Sequence, residues 1–460
     1  MDKISLGILN YNSNFKDFFY FISQKNSRYL IKFNEVLNSN NDFELLKKKI
    51  IKSKVKILVI CDKKIIPFIN YNINFFLKKK IKIVQASNND EIKIHGFIIE
   101  KPFKDFSFDE IFFRDTFKID KEKYKNLFYK KSILVTGGAG SIGKAIVRQL
   151  LNFKLKKIYI LDNSEYNIFN FKITYESIKQ FKKVKIIIGN IENKFLVNKI
   201  FKKIKPNIVF HAAALKHVGF LENNVRSGII TNIFGTQNLL QSSIKYKVSD
   251  FIHVSTDKAA DPKNVLGLTK LLSEYLCYKY DKSNTKISIV RFGNVFNSHG
   301  SVAEIFKLKM LSGNKINISH PHVERFFMSD IEASNLILTA FKISKNDVKK
   351  ENCRIFICDM GHPIKILDLA KKMIYLSGRD PSKFLLNKYY GLNNSEKITE
   401  KLVSKKEKII MRTENNHILE IYRKKNKFNL MYLKKLLISN LSDSQLKIKL
   451  KKLAKNLVNK

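Results

Sequence analysis

Short apolar runs separated by amphipathic stretches dominate the chain from Lys131 onward. Residues 132–136 form an apolar run that leads into a glycine-rich turn, and further runs follow it. Helix-length amphipathic segments such as 227–246 lie between these runs. Strands that alternate with helices in this way favour a doubly wound parallel sheet. The further predicted strands are Ile158–Leu161, Val184–Ile188, Ile208–Ala212, Phe251–Val254 and Ile287–Arg291.

The first 125 residues carry a weaker form of the same pattern. Strand-like runs at Lys56–Cys61, Ile81–Gln85 and Phe97–Glu100 alternate with amphipathic stretches, and no glycine-rich loop follows any of them. A nucleotide site in this part of the chain is therefore not expected. Residues 115–131 are polar and charged, as a linker with one helix would be.

The pattern predicts an α/β fold, a Rossmann-like doubly wound parallel sheet with a small C-terminal substrate lobe and a small α/β N-terminal domain before it. Past Arg291 the regular alternation fades, and we expect 292–345 and 385–410 to cover the substrate. The Lys-rich stretch 426–460 has a helical pattern. Three domains are predicted: a reduced α/β domain with its linker at 1–125, the NAD(P)-binding domain with part of the lobe at 126–385, and the rest of the lobe with a basic helical tail at 386–460.

Composition changes this picture little. The formal charge is +46, but the basic residues are spread along the chain, and abundant Lys, Ile, Asn and Phe are typical of AT-rich codons. Since no basic stripe or nucleic-acid module is evident, we expect no nucleic-acid partner. The four cysteines form no CxxC pair, so neither a disulfide nor a metal site is predicted. Without an apolar run near 18 residues or a secretory signal, a cytoplasmic protein with at most peripheral membrane association is expected.

A glycine-rich turn follows the first regular strand. Gly137, Gly140 and Gly143 are spaced GxxGxxG between a strand and a helix, where glycine lets the backbone approach a pyrophosphate at a helix N-terminus. Asp162 ends the next strand, where an acid would bind the ribose 2′-hydroxyl and favour NAD over NADP, although a helix N-cap is an alternative. The predicted cofactor-binding residues are Gly137, Gly140, Ser141, Ile142, Gly143, Asp162, Asn190, Ile191, Ala212, Ala213, Ala214 and Lys270.

The stretch 255–270 offers groups for proton transfer. It contains an acid, Asp257, a neighbouring amine, Lys258, and a second amine, Lys270. An Asp-Lys dipeptide is also common in solvated loops, so the pair alone is weak evidence of catalysis. Beside a dinucleotide turn, it indicates an enzyme that acts on a sugar through a bound nicotinamide.

Residues 131–378 resemble the CapD-type polysaccharide biosynthesis proteins, which are nucleotide-sugar 4,6-dehydratases of the extended short-chain dehydrogenase/reductase class. The resemblance implies a UDP-N-acetylhexosamine substrate, most often UDP-N-acetylglucosamine, and a 4-keto-6-deoxy product for surface polysaccharide or glycan assembly. The matching blocks are TGGAGSIG (136–143), FHAAALKHV (210–218), TNIFGT (231–236), VSTDKAADPKNVLGLTK (254–270), VRFGNVF (290–296), HPHVERFFM (320–328) and DMGHPIKILDLA (359–370).

The resemblance also implies roles for single residues. Asp257 would protonate the departing C6 hydroxyl, Lys258 would remove the C5 proton, Thr256 would bind the C4 oxygen and Lys270 would hold the nicotinamide ribose. The implied substrate contacts are Lys216, Glu222, Asn294 and Arg325. Arg291 is a further candidate for the diphosphate, and a salt link in the core is the alternative for both arginines.

Two departures from the family pattern leave alternatives open. Leu266 stands four residues before Lys270, where short-chain dehydrogenases normally place a proton-carrying tyrosine. Gly391–Lys397 reads GLNNSEK and lacks an arginine that the family carries there. The alternatives are therefore a nucleotide-sugar epimerase of the same fold and a catalytically weakened nucleotide-sugar-binding subunit. We expect a homo-oligomer in each case.

Overall fold

The computed structural model describes residues 4–9, 29–36, 41–60, 73–79, 81–85, 108–112, 116–346, 351–377, 381–386, 389–393, 395–412, 418–426 and 428–459. Clustering of its contacts divides the chain into two compact units. Unit 1 comprises Met1–Arg114, Phe306–Asn317 and Asp368–Lys388, and unit 2 comprises Asp115–Ile305, Ile318–Leu367 and Tyr389–Lys460. The three functional domains predicted from the sequence stay a prediction.

Unit 1 contains a small parallel sheet whose strands follow the order β2-β1-β3-β4. Apolar residues of its strands and first helix, among them Leu9, Phe43 and Leu58, form its core. The predicted strands at 56–61 and 81–85 correspond to β3 and β4, whereas the predicted strand Phe97–Glu100 lies outside the described residues. The first elements of the chain are β1 (Ile4–Leu9), β2 (Tyr29–Glu35), α1 (Asn41–Ser53), β3 (Ile57–Ile60), α2 (Ile73–Lys78), β4 (Lys82–Gln85) and α3 (Phe108–Phe112).

Unit 2 is built on a nine-stranded sheet, and most of its helices alternate with the strands. A 3₁₀ turn at Asp257–Ala259 follows β9, and one π-helical stretch, Ile230–Gly235, precedes α10. The elements from residue 125 to 292 are α4 (Lys125–Phe128), β5 (Ser132–Thr136), α5 (Ser141–Leu150), β6 (Lys157–Asp162), α6 (Glu165–Tyr175), β7 (Val184–Ile188), α7 (Lys194–Ile204), β8 (Ile208–His211), α8 (Val218–Glu222), α9 (Val225–Ile229), α10 (Thr236–Lys245), β9 (Asp250–Thr256), α11 (Val265–Lys279) and β10 (Lys286–Phe292).

The remaining elements include two short strand pairs, β11 with β13 and β12 with β15. β11, β12 and β13 lie within 292–345, where the sequence predicts part of a substrate lobe, and β15 lies beyond that stretch. These elements are β11 (Asn294–Val295), α12 (Val302–Leu311), β12 (Glu324–Arg325), β13 (Phe327–Met328), α13 (Asp330–Asn346), β14 (Cys353–Cys358), β15 (Ile364–Lys365), α14 (Ile366–Leu376), α15 (Pro381–Phe384), β16 (Lys408–Arg412), β17 (Ile418–Tyr422), α16 (Leu430–Ile438) and α17 (Asp443–Asn459).

The large sheet has the predicted doubly wound topology. Its order is β16-β17-β14-β10-β9-β8-β5-β6-β7, in which the seven strands from β14 to β7 are parallel and β17 and β16 are antiparallel. The strand order reverses between β5 and β8: β6 and β7 follow β5 toward one edge of the sheet, and β9 and β10 follow β8 toward the other. Ligands bind at such switch points. Successive residues of one strand, such as Leu134 and Val135, belong to different core clusters, which cover the two faces of the sheet.

The predicted helical pattern near the C-terminus corresponds to the helical hairpin α16–α17. Leu450 and Leu457 of α17 pack in the same core cluster as the apolar residues of α11, and Tyr275 of α11 donates a hydrogen bond to Leu457 O at 3.3 Å. The Arg226 guanidinium donates to backbone carbonyls at the turn of the hairpin, including Leu441 O at 3.1 Å. The hairpin thus covers a side of α11, and that helix is buried along nearly its whole length.

Candidate functional site

The glycine turn between β5 and α5 needs glycine for two different reasons. Gly137 has a φ of +63°, and a Cβ there would lie 2.7 Å from the backbone of Ala213. A Cβ on Gly143 would lie 2.0 Å from the carbonyl oxygen of Gly137. Gly140 caps the helix without a side-chain hydrogen bond, so the first N–H groups of α5 are left for a ligand.

A cleft of about 570 Å³ opens at this turn, beside the carboxyl ends of the parallel strands. The sequence-predicted cofactor residues all line it, so the structure brings the whole set together in one place. These residues are Gly137, Gly140, Ser141, Ile142, Gly143, Asp162, Asn190, Ile191, Ala212, Ala213, Ala214 and Lys270.

Two polar side chains near the glycine turn already hold the backbone. Asp162, at the end of β6, accepts hydrogen bonds from Ala139 N and Ser164 N, each at 3.0 Å. Asn190 accepts from Glu192 N at 3.0 Å. Each side chain also reaches the cleft. Their contacts with ribose and adenine stay predictions.

The proton-transfer groups stand where β9 ends. The chain leaves the strand at Thr256 and turns through Asp257–Ala259, so consecutive side chains converge and do not alternate as in a strand. Thr256 Oγ1 donates to Asp257 Oδ1 at 2.8 Å, and Lys258 Nζ lies 3.0 Å from the same oxygen. Lys258 also donates to Asn294 Oδ1 at 3.3 Å. We call Asp257 and Lys258 the cleft pair.

The two members of the cleft pair are placed differently. Thr256 and Lys258 line the cleft, and the Lys258 side chain is 15% exposed. The Asp257 side chain is 0% exposed and lies behind them. Among the described residues, its second oxygen, Oδ2, has no hydrogen-bond partner. A proton on Asp257 must therefore pass Thr256 or Lys258 to reach a substrate.

Leu266 and Lys270 lie on α11 and both line the cleft, as their spacing of one helical turn predicts. Lys270 Nζ donates to Val254 O at 2.6 Å and lies 3.4 Å from His253 Nε2. Burial lowers the pKa of Lys270 to about 8, although Glu274 acts in the opposite direction. The Lys270 ammonium thus loses its proton at a lower pH than the ammonium of an exposed lysine does.

The structure brings two of the four predicted substrate residues to the cleft. Lys216 and Asn294 line it, and burial lowers the pKa of Lys216. Glu222 lies outside the lining, because its carboxylate accepts a hydrogen bond from Val265 N at 2.8 Å and is paired with Lys447. A sugar contact from Glu222 stays a prediction.

Arg325 also lies outside the lining of the cleft. Its guanidinium donates to Glu324 O at 2.7 Å and to Ile398 O at 2.9 Å, and it lies 3.5 Å from the Glu396 carboxylate. These contacts bind β12 to the segment around residue 398. A sugar or diphosphate contact from Arg325 stays a prediction.

Sequence reasoning missed a cluster of buried charges beneath the site. Arg291 is fully buried, and its guanidinium donates to both oxygens of Glu274, at 2.8 and 2.6 Å, and of Glu407, at 2.9 Å. Arg423 lies 2.8 Å from Glu274 and 2.5 Å from Glu407. We call these four residues the core charge cluster. Arg291 is therefore the salt link weighed as an alternative, and it does not line the cleft.

The described part of the chain holds no group of His, Cys, Asp and Glu side chains arranged for a metal ion. Cys277, Cys353 and Cys358 are buried and form no disulfide among the described residues, and Cys61 lies outside them. None of the described helices combines the length and apolar content that a bilayer crossing requires.

Comparisons with known proteins identify the family. A family model described as polysaccharide biosynthesis protein matches residues 133–423, more than half of the chain. The capsular polysaccharide biosynthesis protein CapD of Staphylococcus aureus is 35% identical over 71% of this chain and 54% of its own length. The probable polysaccharide biosynthesis protein EpsC of Bacillus subtilis is 35% identical over 66% of this chain and 50% of its own. The chain thus spans about half the length of these two relatives.

An epimerase and two solved structures are also similar to this chain. A UDP-glucose 4-epimerase of Rickettsia rickettsii is 31% identical over 61% of this chain and 80% of its own length. The solved structure of Pen from Bacillus thuringiensis is 33% identical, with a TM-score of 0.54 over 60% of this chain and 83% of its own. The dTDP-glucose 4,6-dehydratase DesIV of Streptomyces venezuelae has a TM-score of 0.52 over 59% of this chain and 88% of its own, and at 20% identity it shows the fold alone. The matched family model and the CapD and EpsC relatives show that the chain belongs to the polysaccharide biosynthesis protein family.

Proposed function

We propose that this protein is an NAD(P)-dependent nucleotide-sugar 4,6-dehydratase that acts on a UDP-N-acetylhexosamine, with UDP-N-acetylglucosamine as the preferred substrate. The observation that carries the proposal is the cleft pair. A carboxylate and an amine lie 3.0 Å apart at the end of β9, and the amine lines the cleft that also contains the glycine turn. A dehydratase needs an acid for the C6 hydroxyl and a base for the C5 proton in just such proximity.

The residues around the glycine turn fit a nicotinamide dinucleotide. The uncapped N-terminus of α5 suits its pyrophosphate, and the tight approach at Gly137 and Gly143 excludes any side chain there. The second lone pairs of the Asp162 oxygens remain for ribose hydroxyls, which favours NAD over NADP. A bound nicotinamide would supply a hydride acceptor at C4 and return the hydride at C6. The chain's own residues do the remaining work of binding and proton transfer.

The short contact within the cleft pair meets two protonation demands at once. The acid must carry a proton and the amine must be neutral when they act, and both demands oppose the usual state at neutral pH. Transfer of one proton from Lys258 Nζ to Asp257 along their 3.0 Å hydrogen bond turns the ion pair into a carboxylic acid and a free amine.

Thr256 links the buried acid to the cleft. Its hydroxyl contacts Asp257 Oδ1 and also lines the cleft. We assign it two tasks, which are to hold the C4 oxygen of the sugar and to relay the proton of Asp257. Asn294 keeps the Lys258 amine directed along the wall of the cleft. Lys216 supplies a positive charge for the diphosphate.

A 4-epimerase is the second candidate, because UDP-glucose 4-epimerases are among the similar proteins. A 4-epimerase exchanges hydride at C4 alone and needs neither a C5 base nor a C6 acid. The cleft pair therefore favours the dehydratase. A nucleotide-sugar-binding subunit without turnover is the third candidate, since Leu266 cannot carry a proton.

The decisive experiment incubates the purified protein with UDP-N-acetylglucosamine and NAD and follows product mass. Loss of one water supports the dehydratase, an isomer of unchanged mass identifies an epimerase, and unchanged substrate with bound nucleotide identifies a binding subunit. Lys258→Met should abolish water loss and retain dinucleotide binding, because the amine contacts Asp257 and Asn294, which lie outside the glycine turn. Lys263→Met is the matched control, since Lys263 is exposed in the same loop outside the cleft lining. Persistent water loss in Lys258→Met would refute the assigned base.

A further inference from the structure

One wall of the cleft combines an aliphatic side chain with an amine. Leu266 and Lys270 lie four residues apart on α11, share one face of that helix and both line the cleft. Leu266 has no atom that can accept a proton. A sugar hydroxyl that is oxidised beside this wall must therefore pass its proton to another group.

Lys270 differs from the other amine of the catalytic end in its partners. Its Nζ donates to a backbone carbonyl, Val254 O at 2.6 Å, and lies 3.4 Å from the imidazole Nε2 of His253. Among the described residues no carboxylate forms an ion pair with it. Lys258, in contrast, lies 3.0 Å from the Asp257 carboxylate. Uncharged partners orient the Lys270 amine without holding its proton as firmly as a carboxylate does.

Titratable groups reach Lys270 from α11 and from two strands. On α11, Glu274 lies one turn away, but its carboxylate is bound by the arginines of the core charge cluster, and Cys277 is a buried thiol. On β9 and β8, the rings of His253 and His211 are tilted against each other, with their centroids 5.1 Å apart. Burial lowers the pKa of both imidazoles well below the usual value, and the charge of Lys270 lowers it further. Both rings are therefore neutral at pH 7.

We propose that the neutral amine of Lys270 accepts the proton of the sugar hydroxyl at C4, and that His253 is the positioning residue for that amine. The inference rests on the proposed function. As the C4–H bonding pair leaves as hydride for the nicotinamide, the O4–H bond breaks, its proton moves to Lys270 Nζ and C4 becomes a carbonyl. After water loss Lys270 holds one extra proton and Asp257 lacks one, and exchange with water restores both.

The surroundings of His253 suit a positioning role. Its Nε2 lies 3.0 Å from Ser273 Oγ, and that hydroxyl donates to the carbonyl oxygen of Lys270 at 2.7 Å. The ring is thus held against the backbone of the same residue whose amine it contacts. His253 is fully buried and does not line the cleft, so it acts on the substrate only through Lys270.

Lys270→Arg separates a proton acceptor from a simple cation. The guanidinium keeps the charge and the donors that would hold a ribose, but it does not release a proton at working pH. We expect dinucleotide affinity to stay within about tenfold and turnover to fall by about a hundredfold or more. Turnover above about a tenth of the wild-type rate would show that Lys270 serves as a cation only, and would overturn the proposal.

A second measurement does not depend on turnover. Acetylation of the wild-type chain by acetic anhydride, followed by peptide mass spectrometry across pH, should give a midpoint for Lys270 near the value of about 8 that burial produces. Exposed Lys263 on the same chain reports the ordinary reactivity of the reagent. Because Ser273 Oγ donates its hydrogen to Lys270 O, His253 Nε2 carries the ring hydrogen and can donate only to a neutral amine. His253→Leu removes this donor and should shift the Lys270 midpoint to higher pH, together with the acid limb of the turnover profile, whereas His253→Gln should retain both. An unchanged or lowered midpoint in His253→Leu would mean that His253 only packs.

The two proposals fail in different ways. Absence of water loss in the wild-type chain refutes the proposed function. Water loss together with a Lys270 midpoint at the usual lysine value refutes the Lys270 assignment alone.

Discussion

Two sets of buried charges accept hydrogen bonds from consecutive residues at the end of β9, and they differ in how fully their carboxylate oxygens are paired. Ser255 donates to Glu274 of the core charge cluster at 2.6 Å, and the next residue, Thr256, donates to Asp257 of the cleft pair at 2.8 Å. In the cluster each carboxylate oxygen has at least one donor, and the unpaired atom there is a nitrogen, Arg423 Nη1, which has no partner among the described residues. In the pair, Asp257 Oδ2 has no partner among the described residues.

The difference in pairing separates structural charges from reactive ones. Guanidinium groups bind both oxygens of each carboxylate in the cluster, which offsets the cost of leaving water. The carboxylate of the cleft pair has a single lysine beside it and keeps one oxygen that can accept a hydrogen bond. The comparison predicts that substitutions in the pair affect turnover, whereas substitutions in the cluster affect stability.

Asp257→Asn should have the largest effect, and on turnover only. The amide keeps the shape of the side chain but cannot donate the proton that the C6 hydroxyl needs. We expect water loss from UDP-N-acetylglucosamine to fall by about 10²–10⁴-fold, the range of general acid catalysis. Urea unfolding should show a free energy close to that of the wild type. A large loss of stability with modest loss of turnover would place Asp257 with the structural charges and break the comparison.

Arg291→Met should show the opposite behaviour. The substitution leaves Glu274 and Glu407 buried with one arginine between them, and removal of one partner from a buried ion pair costs about 3–5 kcal/mol. We expect the free energy of unfolding to fall by that amount in denaturant titrations. The exposed pair Arg148–Asp330 offers a matched control, because Arg148→Met should change stability little.

Ser255→Ala should have the smallest effect, and it tests the residue that adjoins both sets. Its hydroxyl bonds to Glu274 in the cluster, although the residue also lines the cleft. Loss of a hydrogen bond to a charged group should lower the free energy of unfolding by about 1.5–3 kcal/mol. Turnover measured below the unfolding temperature should change by less than about tenfold, since the proton path runs through Thr256. A greater loss of turnover would mean that the two sets act as one.

Local spacing was sufficient to predict which residues gather around the glycine turn. Three glycines after an apolar strand dictate the turn, and the carboxyl ends of neighbouring parallel strands then bring Asp162, Asn190 and Ala213 to the same edge. The central strands could also be predicted, because a strand buried on both faces is a continuous apolar run. The strands β16 and β17 carry charged residues and pair antiparallel, so they lack that signal.

The core charge cluster could not be predicted from local pattern. Arg291 and Glu407 lie 116 residues apart, and only the sheet brings β10 near the segment before β16. An arginine that ends an otherwise apolar strand was the one available signal, and it indicates a buried partner without identifying it. Glu222 and Arg325 illustrate the same difficulty, because their partners, Lys447 and Ile398 O, lie far along the chain.

The hairpin α16–α17 makes helix α11 depend on residues that the ribosome adds much later. While those residues are unmade, the side of α11 that packs against Leu450 and Leu457 has no cover, although Leu266 and Lys270 have already been synthesised. An uncovered apolar helix during synthesis is a target for chaperones and a starting point for aggregation. Chaperone supply during expression, as well as the integrity of the cleft, should therefore govern how much active protein a cell accumulates.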